Sequence, residues 1–455
     1  MSKWQDLVTT SLIGTERAVV PVVEIPGLAR AAAAGPVPGP PEAGGTAADD
    51  ADPARLLLDS AALMTAARRA GQRPGRAEPL PVCEPDRRPT VSPAAGRRLA
   101  RMMAGKHQDL LTEWLAEANA RGLRPPPQLL PALLETARAN PGAAGWRRLV
   151  AEAGGPLARW LAAVSPEWEL PVPQTGPPPD AWRLGDARQR RGYLVALRAT
   201  DPAAARELLA ASWDGAAQAE RADLLSALSD GLGPADEPLL EAALDDRVAE
   251  VRSRAAFLLA SLPGSALGRR MTGHALRCVR IEHGPRGPRL VTVPPLEPDA
   301  SMRRDGIAPG AVAGRPRLAD LNRFVVEILA RTPLGAWTDA FGLTAAQILA
   351  VPAGDWTPAL FVGWSRAAVA QRDGDWTAAL IRRALADQLA GWPGGTPAVA
   401  EALGRLARRA DPSLGAPGVL PGPGPGAPPA VRHAVSVLRF RHDMRSELED
   451  GHHDG

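Results

Sequence analysis

Three potential metal ligands lie within ten residues of one another: His274, Cys278 and His283. Thiolate and imidazole are ligands that zinc prefers, but a structural zinc site usually needs four of them at tetrahedral reach. No second cysteine–histidine pair has suitable spacing, and His274 and Cys278 flank a predicted change from helix to strand. We therefore expect a buried Cys278 and two surface histidines, with no metal and no other cofactor.

The sequence carries no recognisable catalytic framework. It has no glycine-rich phosphate loop ending in Lys-Ser/Thr, no dinucleotide fingerprint, no Gly-x-Ser-x-Gly elbow and no His-Glu-x-x-His pair. Acidic pairs such as Asp245–Asp246 stand where helices are predicted to begin, and exposed amides and the helix dipole attract carboxylates there. We predict no catalytic residues and a chain that is not an enzyme. An enzyme would need a deep pocket that groups acidic and arginine residues.

Arginine-lined grooves of helical-repeat proteins can bind a phosphate backbone, so nucleic-acid binding is the alternative function. Against it, 50 acidic residues are interspersed with 53 basic ones, and the formal net charge is only +3. The alternative stays open at this point. The candidate groove residues are Arg247, Arg252, Arg254, Arg269 and Arg270.

The strongest structural pattern runs from residue 239 to residue 262 and resembles a HEAT-type helix pair. We predict two short helices joined by a tight turn at Asp245–Asp246, with Asp246 capping the second helix. Arg252 matches the structural arginine of such repeats, which commonly pairs with a neighbouring aspartate. The apolar positions on the two helix faces are Leu239, Leu240, Ala243, Leu244, Val248, Val251, Ala255, Leu258, Leu259 and Leu262.

Two weaker repeats accompany this pair. Arg206 follows an Asp-Pro step and lies 46 positions before Arg252, within the span of about 40–47 residues of a HEAT or armadillo unit. Further along, residues 354–360 and 374–380 share the pattern Gly-Asp-Trp-Thr-x-Ala-Leu. We predict that Asp355 and Asp375 cap helices there and that each tryptophan packs on the first turn.

Two short β-type runs interrupt the helical pattern. Residues 278–282 and 290–293 alternate as strands do, and the turn-rich residues 283–288 separate them. We predict a small β-hairpin inserted between helices. The exposed hairpin and the groove of the helical array are the expected contact surfaces.

Composition indicates a cytoplasmic protein of helical blocks joined by loose connectors. Two cysteines cannot form a disulfide framework, residues 4–13 lack the features of a signal peptide, and no uncharged run approaches the roughly 20 residues of a membrane span. Pro and Gly, 48 and 45 residues, gather in a few tracts that we predict to be disordered linkers. The predicted divisions are 1–30 (N-terminal helix), 31–53 (linker), 54–165 (helical region), 166–180 (linker), 181–274 (HEAT-like block), 275–317 (hairpin and loop), 318–411 (helical repeat block), 412–430 (linker) and 431–455 (C-terminal helix and tail).

Three segments resemble an uncharacterised bacterial family, a domain of unknown function: residues 4–17 (WQDLVTTSLIGTER), 236–247 (DEPLLEAALDDR) and 262–265 (LPGS). The resemblance spans most of the chain but is patchy in the Pro/Gly tracts. It implies gene neighbourhoods with MoxR-type AAA+ ATPases, von Willebrand factor A proteins and SWIM zinc-finger proteins. It supplies no catalytic residues.

The expected fold is therefore mainly α: an irregular HEAT-like α-solenoid with one inserted β-hairpin. The expected function is that of a non-catalytic adaptor or scaffold for protein–protein interaction. The family resemblance makes a MoxR-type AAA+ ATPase and a von Willebrand factor A protein the expected partners.

Overall fold

The structure is a computed structural model that describes residues 3–20, 52–71, 80–140, 144–165, 167–168, 180–307, 318–386, 397–424 and 426–450. The chain divides into two compact units, Met1–Val82 and Cys83–Gly455. The linkers predicted at 31–53 and 166–180 lie almost entirely outside the described residues.

Within its described residues, the first unit contains two helices, α1 (Lys3–Ile13) and α2 (Pro53–Gly71). Helix α1 ends where Gly14 takes a φ of +93°, a left-handed conformation that glycine adopts at helix ends without steric cost. The guanidinium of Arg68 lies 5.5 Å from the ring centroid of Trp4, so a cation–π contact joins the two helices.

The second unit holds the remaining helices and both strands of the described chain. Its elements are α3 (Pro93–Met103), α4 (Leu111–Ala120), α5 (Leu130–Ala139), α6 (Ala144–Val164), α7 (Ala181–Leu184), α8 (Ala187–Thr200), α9 (Pro202–Ser212), α10 (Gln218–Ser226), α11 (Glu237–Ala243), α12 (Ala249–Ala260), α13 (Ala266–Cys278), β1 (Val279–Gly284), β2 (Gly287–Thr292), α14 (Ala300–Arg304), α15 (Leu318–Arg331), α16 (Gly335–Phe341), α17 (Ala345–Ala350), α18 (Thr357–Gln371), α19 (Gly374–Ala386), α20 (Pro397–Arg409) and α21 (Pro429–Asp450).

The predicted HEAT-type pair corresponds to α11 and α12, which pack against each other. Asp246 does not cap α12, because the residue at the cap position is Val248 and no side chain caps the helix. The Asp246 carboxylate instead accepts a bond from the Val248 amide at 2.8 Å and one from Arg221 at 2.9 Å. Arg252 donates to the main-chain oxygen of Asp246 at 2.8 Å rather than to a carboxylate. Both side chains therefore organise the turn that precedes α12.

A buried ion pair stands at the centre of this region. Arg198 on α8 and Asp236 before α11 are 0% and 2% exposed, and Nη1 of Arg198 lies 2.9 Å from Oδ1 of Asp236. The same guanidinium also donates to the main-chain oxygens of Asp230 and Gly231. The pair is compensated by hydrogen bonds on several sides, as buried charges require.

The predicted hairpin is confirmed as an antiparallel pair of β1 and β2, with Val279 opposite Thr292 and Gly284 opposite Gly287. One part of it is packed rather than exposed. Val279 and Leu290 are buried, and the Leu290 amide donates to the oxygen of Pro352 at 2.8 Å. The hairpin is therefore held against the segment that connects α17 to α18.

Helix α18 packs against α15, α19 and α20. Gly363 on α18 allows α15 to approach, because a Cβ at that position would lie 2.6 Å from the Cβ of Leu329. The rings of Trp337, Trp364 and Trp376 follow one another at centroid distances of 5.7 and 5.6 Å. Trp376 is buried in the first turn of α19, whereas its counterpart Trp356 precedes α18 and is only half-buried.

The predicted caps of the Trp-led repeat are wrong. In the second copy the Trp376 amide donates to Asp373, two residues before the predicted Asp375. In the first copy no side chain caps either the 3₁₀ turn that contains Asp355 or the helix that follows it.

Two buried arginines join the last helix, α21, to α3 and α4, the first two helices of the second unit. Arg98 on α3 contacts Glu447 at 2.6 Å, and Arg441 on α21 contacts Glu113 at 2.7 Å. Part of the linker predicted at 412–430 forms a 3₁₀ turn against α21, with Leu414 buried.

In the described chain, the prediction of a mainly helical fold with one small antiparallel hairpin is confirmed. Its arrangement as a HEAT-like solenoid stays a prediction, as do the predicted domain boundaries. None of the described helices combines the length and apolar character needed to cross a membrane.

Candidate binding cleft

A cleft of about 880 Å³ opens between α12, α15, α18 and α20, beside the turn that leads from α18 into α19. We call it the arginine cleft because Arg331, Arg366, Arg372, Arg405 and Arg409 all line it. Its volume is within the range of about 300–1,000 Å³ that is usual for ligand-binding sites.

One wall of the arginine cleft is apolar. Phe257 projects from the last turn of α12 and is 57% exposed, an unusual position for a phenylalanine in a helical protein. Leu258, Ala330 and Val369 line the cleft with it. This wall can cover an apolar group of a bound molecule.

The charged groups of the cleft are strongly unbalanced. Five arginines line it, whereas Glu327 and Asp373 are the only carboxylates among its lining residues in the described chain. Asp373 uses one oxygen to accept the amide of Trp376 at the start of α19. The cleft is therefore cationic, although the chain as a whole is nearly neutral.

Glu327 organises two of the five arginines. Its carboxylate accepts a bond from Arg331 on the same helix at 2.6 Å and one from Arg366 on α18 at 2.8 Å. Burial pushes the pKa of Glu327 upward, but the two neighbouring guanidinium groups outweigh burial and hold the pKa below its usual range. The ionised Glu327 therefore holds the side chains of Arg331 on α15 and Arg366 on α18 in place at the cleft.

Arg372 lies in the turn between α18 and α19 with a φ of +53°. This left-handed position follows a helix end and is one where glycine is usual, since a Cβ there is strained. The turn is held by Gln371, whose side chain accepts the Leu334 amide and donates to the Thr332 oxygen, each at 2.9 Å. The backbone is therefore fixed where the Arg372 side chain leaves it.

The remaining two arginines project from α20. Arg405 pairs with Glu401 one turn earlier on the same helix, and Arg409 lies in its last turn. The end of α20 is held in turn by Arg441, which donates to the main-chain oxygens of Ala407 and Ala410.

Ser365 adds a polar group without a partner. It lines the cleft, and its buried hydroxyl has no hydrogen-bond partner in the part of the chain that the structure describes. No histidine or cysteine is among the described residues that line the cleft. The cleft presents five guanidinium groups, two carboxylates and an apolar wall, and the excess of guanidinium groups suits the binding of an anionic, partly apolar ligand.

The three potential metal ligands lie away from this cleft. Cys278 is buried as predicted, and burial raises the pKa of its thiol to about 11. His274 is buried, not at the surface as predicted, because it faces Arg277 and Ser301, and burial lowers its pKa. His283 is exposed on the hairpin. Among the described residues, no three His, Cys, Asp or Glu side chains are grouped as metal ligands.

The arginines proposed from the sequence as groove residues are not those of the cleft. None of Arg247, Arg252, Arg254, Arg269 and Arg270 lines it. Four of them make contacts elsewhere: Arg252 with main-chain oxygens of its preceding turn, Arg254 with Glu250, Arg269 with the Gly264 oxygen, and Arg270 with Asp305 and Glu241.

The cleft arginines were missed because their sequence positions span almost 80 residues. The four-residue spacing of Glu327 and Arg331, and of Glu401 and Arg405, could have indicated ion pairs on one helix face. No spacing in the sequence indicates that these faces of α15 and α20 line the same cleft as Phe257.

A family model matches residues 6–410, and its description is "Family of unknown function (DUF5691)". All lining residues of the arginine cleft lie within the matched range. No curated protein and no solved structure matches the chain. The match covers most of the 455 residues, so the chain belongs to the DUF5691 family.

Proposed function

We propose that this chain is a non-catalytic helical adaptor and that a partner protein binds in the arginine cleft. The observation that carries the proposal is the combination of an exposed Phe257 with five arginines in one cleft of about 880 Å³. Aromatic residues and arginine are the residue types most enriched at the energetic centres of protein interfaces.

The proposed partners are a MoxR-type AAA+ ATPase and a von Willebrand factor A protein. The support for them is the family resemblance and the gene neighbourhoods that it implies. In this proposal the adaptor contributes binding and orientation, and the ATPase contributes the chemistry.

Photo-cross-linking tests the adaptor role. The photoreactive amino acid p-benzoyl-phenylalanine replaces Phe257 in the 455-residue chain, and a matched control carries it at Leu184, which is 73% exposed and lies outside both the cleft and the hairpin. We expect a protein that cross-links from position 257 and not from 184, that mass spectrometry identifies as an ATPase or von Willebrand factor A protein, and that binds again when purified. If position 257 captures no protein, or only what position 184 captures, the adaptor proposal is wrong.

Nucleic-acid binding is the second candidate. Five arginines in one cleft can contact phosphates, and Phe257 presents a face on which a base could stack. A filter-binding titration with single-stranded DNA across salt concentrations tests it. A steep decrease of affinity with salt would support this candidate, and the absence of binding at low salt would exclude it.

A further inference from the structure

We infer that the arginine cleft binds an acidic segment of a protein, in which carboxylates pair with Arg372 and Arg409 and a large apolar side chain packs on Phe257. This inference rests on the proposed adaptor function and specifies the chemistry of the bound segment. It draws on the pairing of the cleft arginines, the conformation of Arg372, the apolar wall and the placement of the two cleft carboxylates.

The first observation is that the cleft arginines differ in what already binds them. Arg331 and Arg366 contact Glu327, and Arg405 contacts Glu401. For Arg372 and Arg409, neither an ion pair nor a side-chain hydrogen bond occurs within the described ranges of the chain. Both residues are exposed, so their guanidinium groups can donate hydrogen bonds to a carboxylate without first breaking a contact.

The second observation is the backbone at Arg372. Its φ of +53° places an arginine where a glycine would be unstrained. No contact of the Arg372 side chain within the described residues compensates this strain. A role in ligand binding accounts for an arginine at this strained position, since residues with strained backbone conformations cluster at binding sites.

The third observation concerns the apolar part of the ligand. Phe257 is 57% exposed beside Val369 and Ala330 in the same cleft. A purely ionic ligand would leave this wall in contact with water. A leucine, phenylalanine or similar side chain among the acidic residues would cover it.

The fourth observation separates an acidic protein segment from a phosphate backbone. Glu327 and Asp373 lie among the cleft arginines, and the pKa of Glu327 is held low, so its carboxylate is charged near neutral pH. A continuous run of phosphates along the cleft would lie beside these carboxylates and be repelled by their like charge. A protein segment can place its carboxylates at Arg372 and Arg409 and other residues elsewhere.

The test is fluorescence polarisation on the purified full chain with a short fluorescein-labelled peptide of glutamates and two leucines. We expect the peptide to bind the wild type and to bind the double variant Arg372→Glu/Arg409→Glu at least about tenfold more weakly, because like charges then face each other. The double variant Arg188→Glu/Arg191→Glu, which makes the same change of charge at two exposed residues outside the cleft, is the matched control and keeps wild-type affinity.

A charge swap and an aromatic truncation complete the test. A lysine–leucine peptide should bind the double variant more tightly than the wild type, and urea denaturation checks that the variant is folded. Phe257→Ala should weaken the glutamate–leucine peptide and leave a peptide of glutamates alone unchanged.

Three outcomes would overturn the inference: no binding of the acidic peptide, equal binding to wild type and double variant, or tighter binding of a single-stranded oligonucleotide than of the peptide. A protein captured from position 257 would, even then, leave the adaptor proposal standing. Failure of the acidic segment and failure of the adaptor role are thus separate results.

Discussion

Two sets of arginines in the second unit differ in whether the protein itself supplies the acceptors of their hydrogen bonds. Arg198 is fully buried and donates to Asp236 and to several main-chain oxygens, so its donors are occupied inside the protein. Arg372 and Arg409 are exposed at the arginine cleft, and neither makes an ion pair within the described residues. The same side chain therefore serves two purposes, and what distinguishes them is whether the protein itself supplies the acceptors.

The comparison shows why arginine content alone is a weak guide to function. An arginine whose acceptors are internal stabilises the fold, and its loss leaves buried partners without a donor. An arginine with free donors adds little to the fold and can bind an anion. Changing residues of both kinds should therefore separate stability from binding.

The largest expected effect is at the buried pair. Asp236→Ala leaves the charge of Arg198 without its counter-ion and the Gly233 amide without an acceptor, so we expect a loss of about 3–5 kcal/mol in the free energy of unfolding. Urea denaturation measures it. Asp245→Ala is the control: this carboxylate is 62% exposed and should cost less than about 1 kcal/mol. If Asp236→Ala and Asp245→Ala lowered the free energy of unfolding equally, the distinction between buried and exposed ion pairs would be wrong.

A smaller loss is expected at Arg441, which joins α21 to the end of α20. Arg441→Met removes the partner of Glu113 and leaves the oxygens of Ala407 and Ala410 without this donor. We expect a loss of about 2–3 kcal/mol by urea denaturation. Acidic-peptide affinity should also decrease, since α20 carries Arg405 and Arg409. Unchanged stability would mean that Arg441 is not one of the arginines that stabilise the fold through internal acceptors.

Glu327 pairs with Arg331 and Arg366, and its contribution to the stability of the fold should depend on pH. Its pKa is lowered in the folded state, so its ionised form stabilises the fold above the unfolded-state value near 4.5. This stability is lost as the pH falls from about that value through the lower folded pKa. Glu327→Gln should therefore cost about 1–2 kcal/mol at pH 7 and progressively less as the pH falls below 4.5. A cost that does not change with pH would contradict the ion-pair account.

The smallest effect on stability is expected at Arg409. Arg409→Ala should change the free energy of unfolding by less than about 0.5 kcal/mol, because no internal acceptor is lost among the described residues. Its acidic-peptide affinity should decrease nonetheless. A stability loss comparable with that of Arg441→Met would mean that Arg409, like Arg441, stabilises the fold.

The sequence predicted the elements better than it predicted the site. The helix pair around residues 239–262 and the hairpin follow from apolar periodicity, and periodicity is local information. The cap predicted at Asp375 is formed by Asp373, two residues earlier, since neighbouring aspartates near a helix start compete for the same amides. The cap predicted at Asp246 is not formed, because α12 begins after Val248 and Asp246 binds the turn before it.

The arginine cleft could not be predicted because its walls come from helices that are distant in sequence. Phe257 and Arg409 are separated by about 150 residues, and only the packing of α15 and α18 brings them to one cleft. Nothing in the local sequence distinguishes Arg270, which pairs with Asp305, from Arg372, which pairs with no carboxylate of the described chain. The difference lies in tertiary contacts.

The most direct test of the account is the acidic-peptide affinity of Arg372→Gly, measured together with its urea denaturation. Glycine relieves the strain of a φ of +53°, so the account predicts a fold as stable as the wild type or more stable by up to about 1 kcal/mol. It also predicts clearly weaker binding of the peptide. A variant that binds the peptide as tightly as the wild type, or that loses stability, would contradict the claim that this arginine is kept for binding.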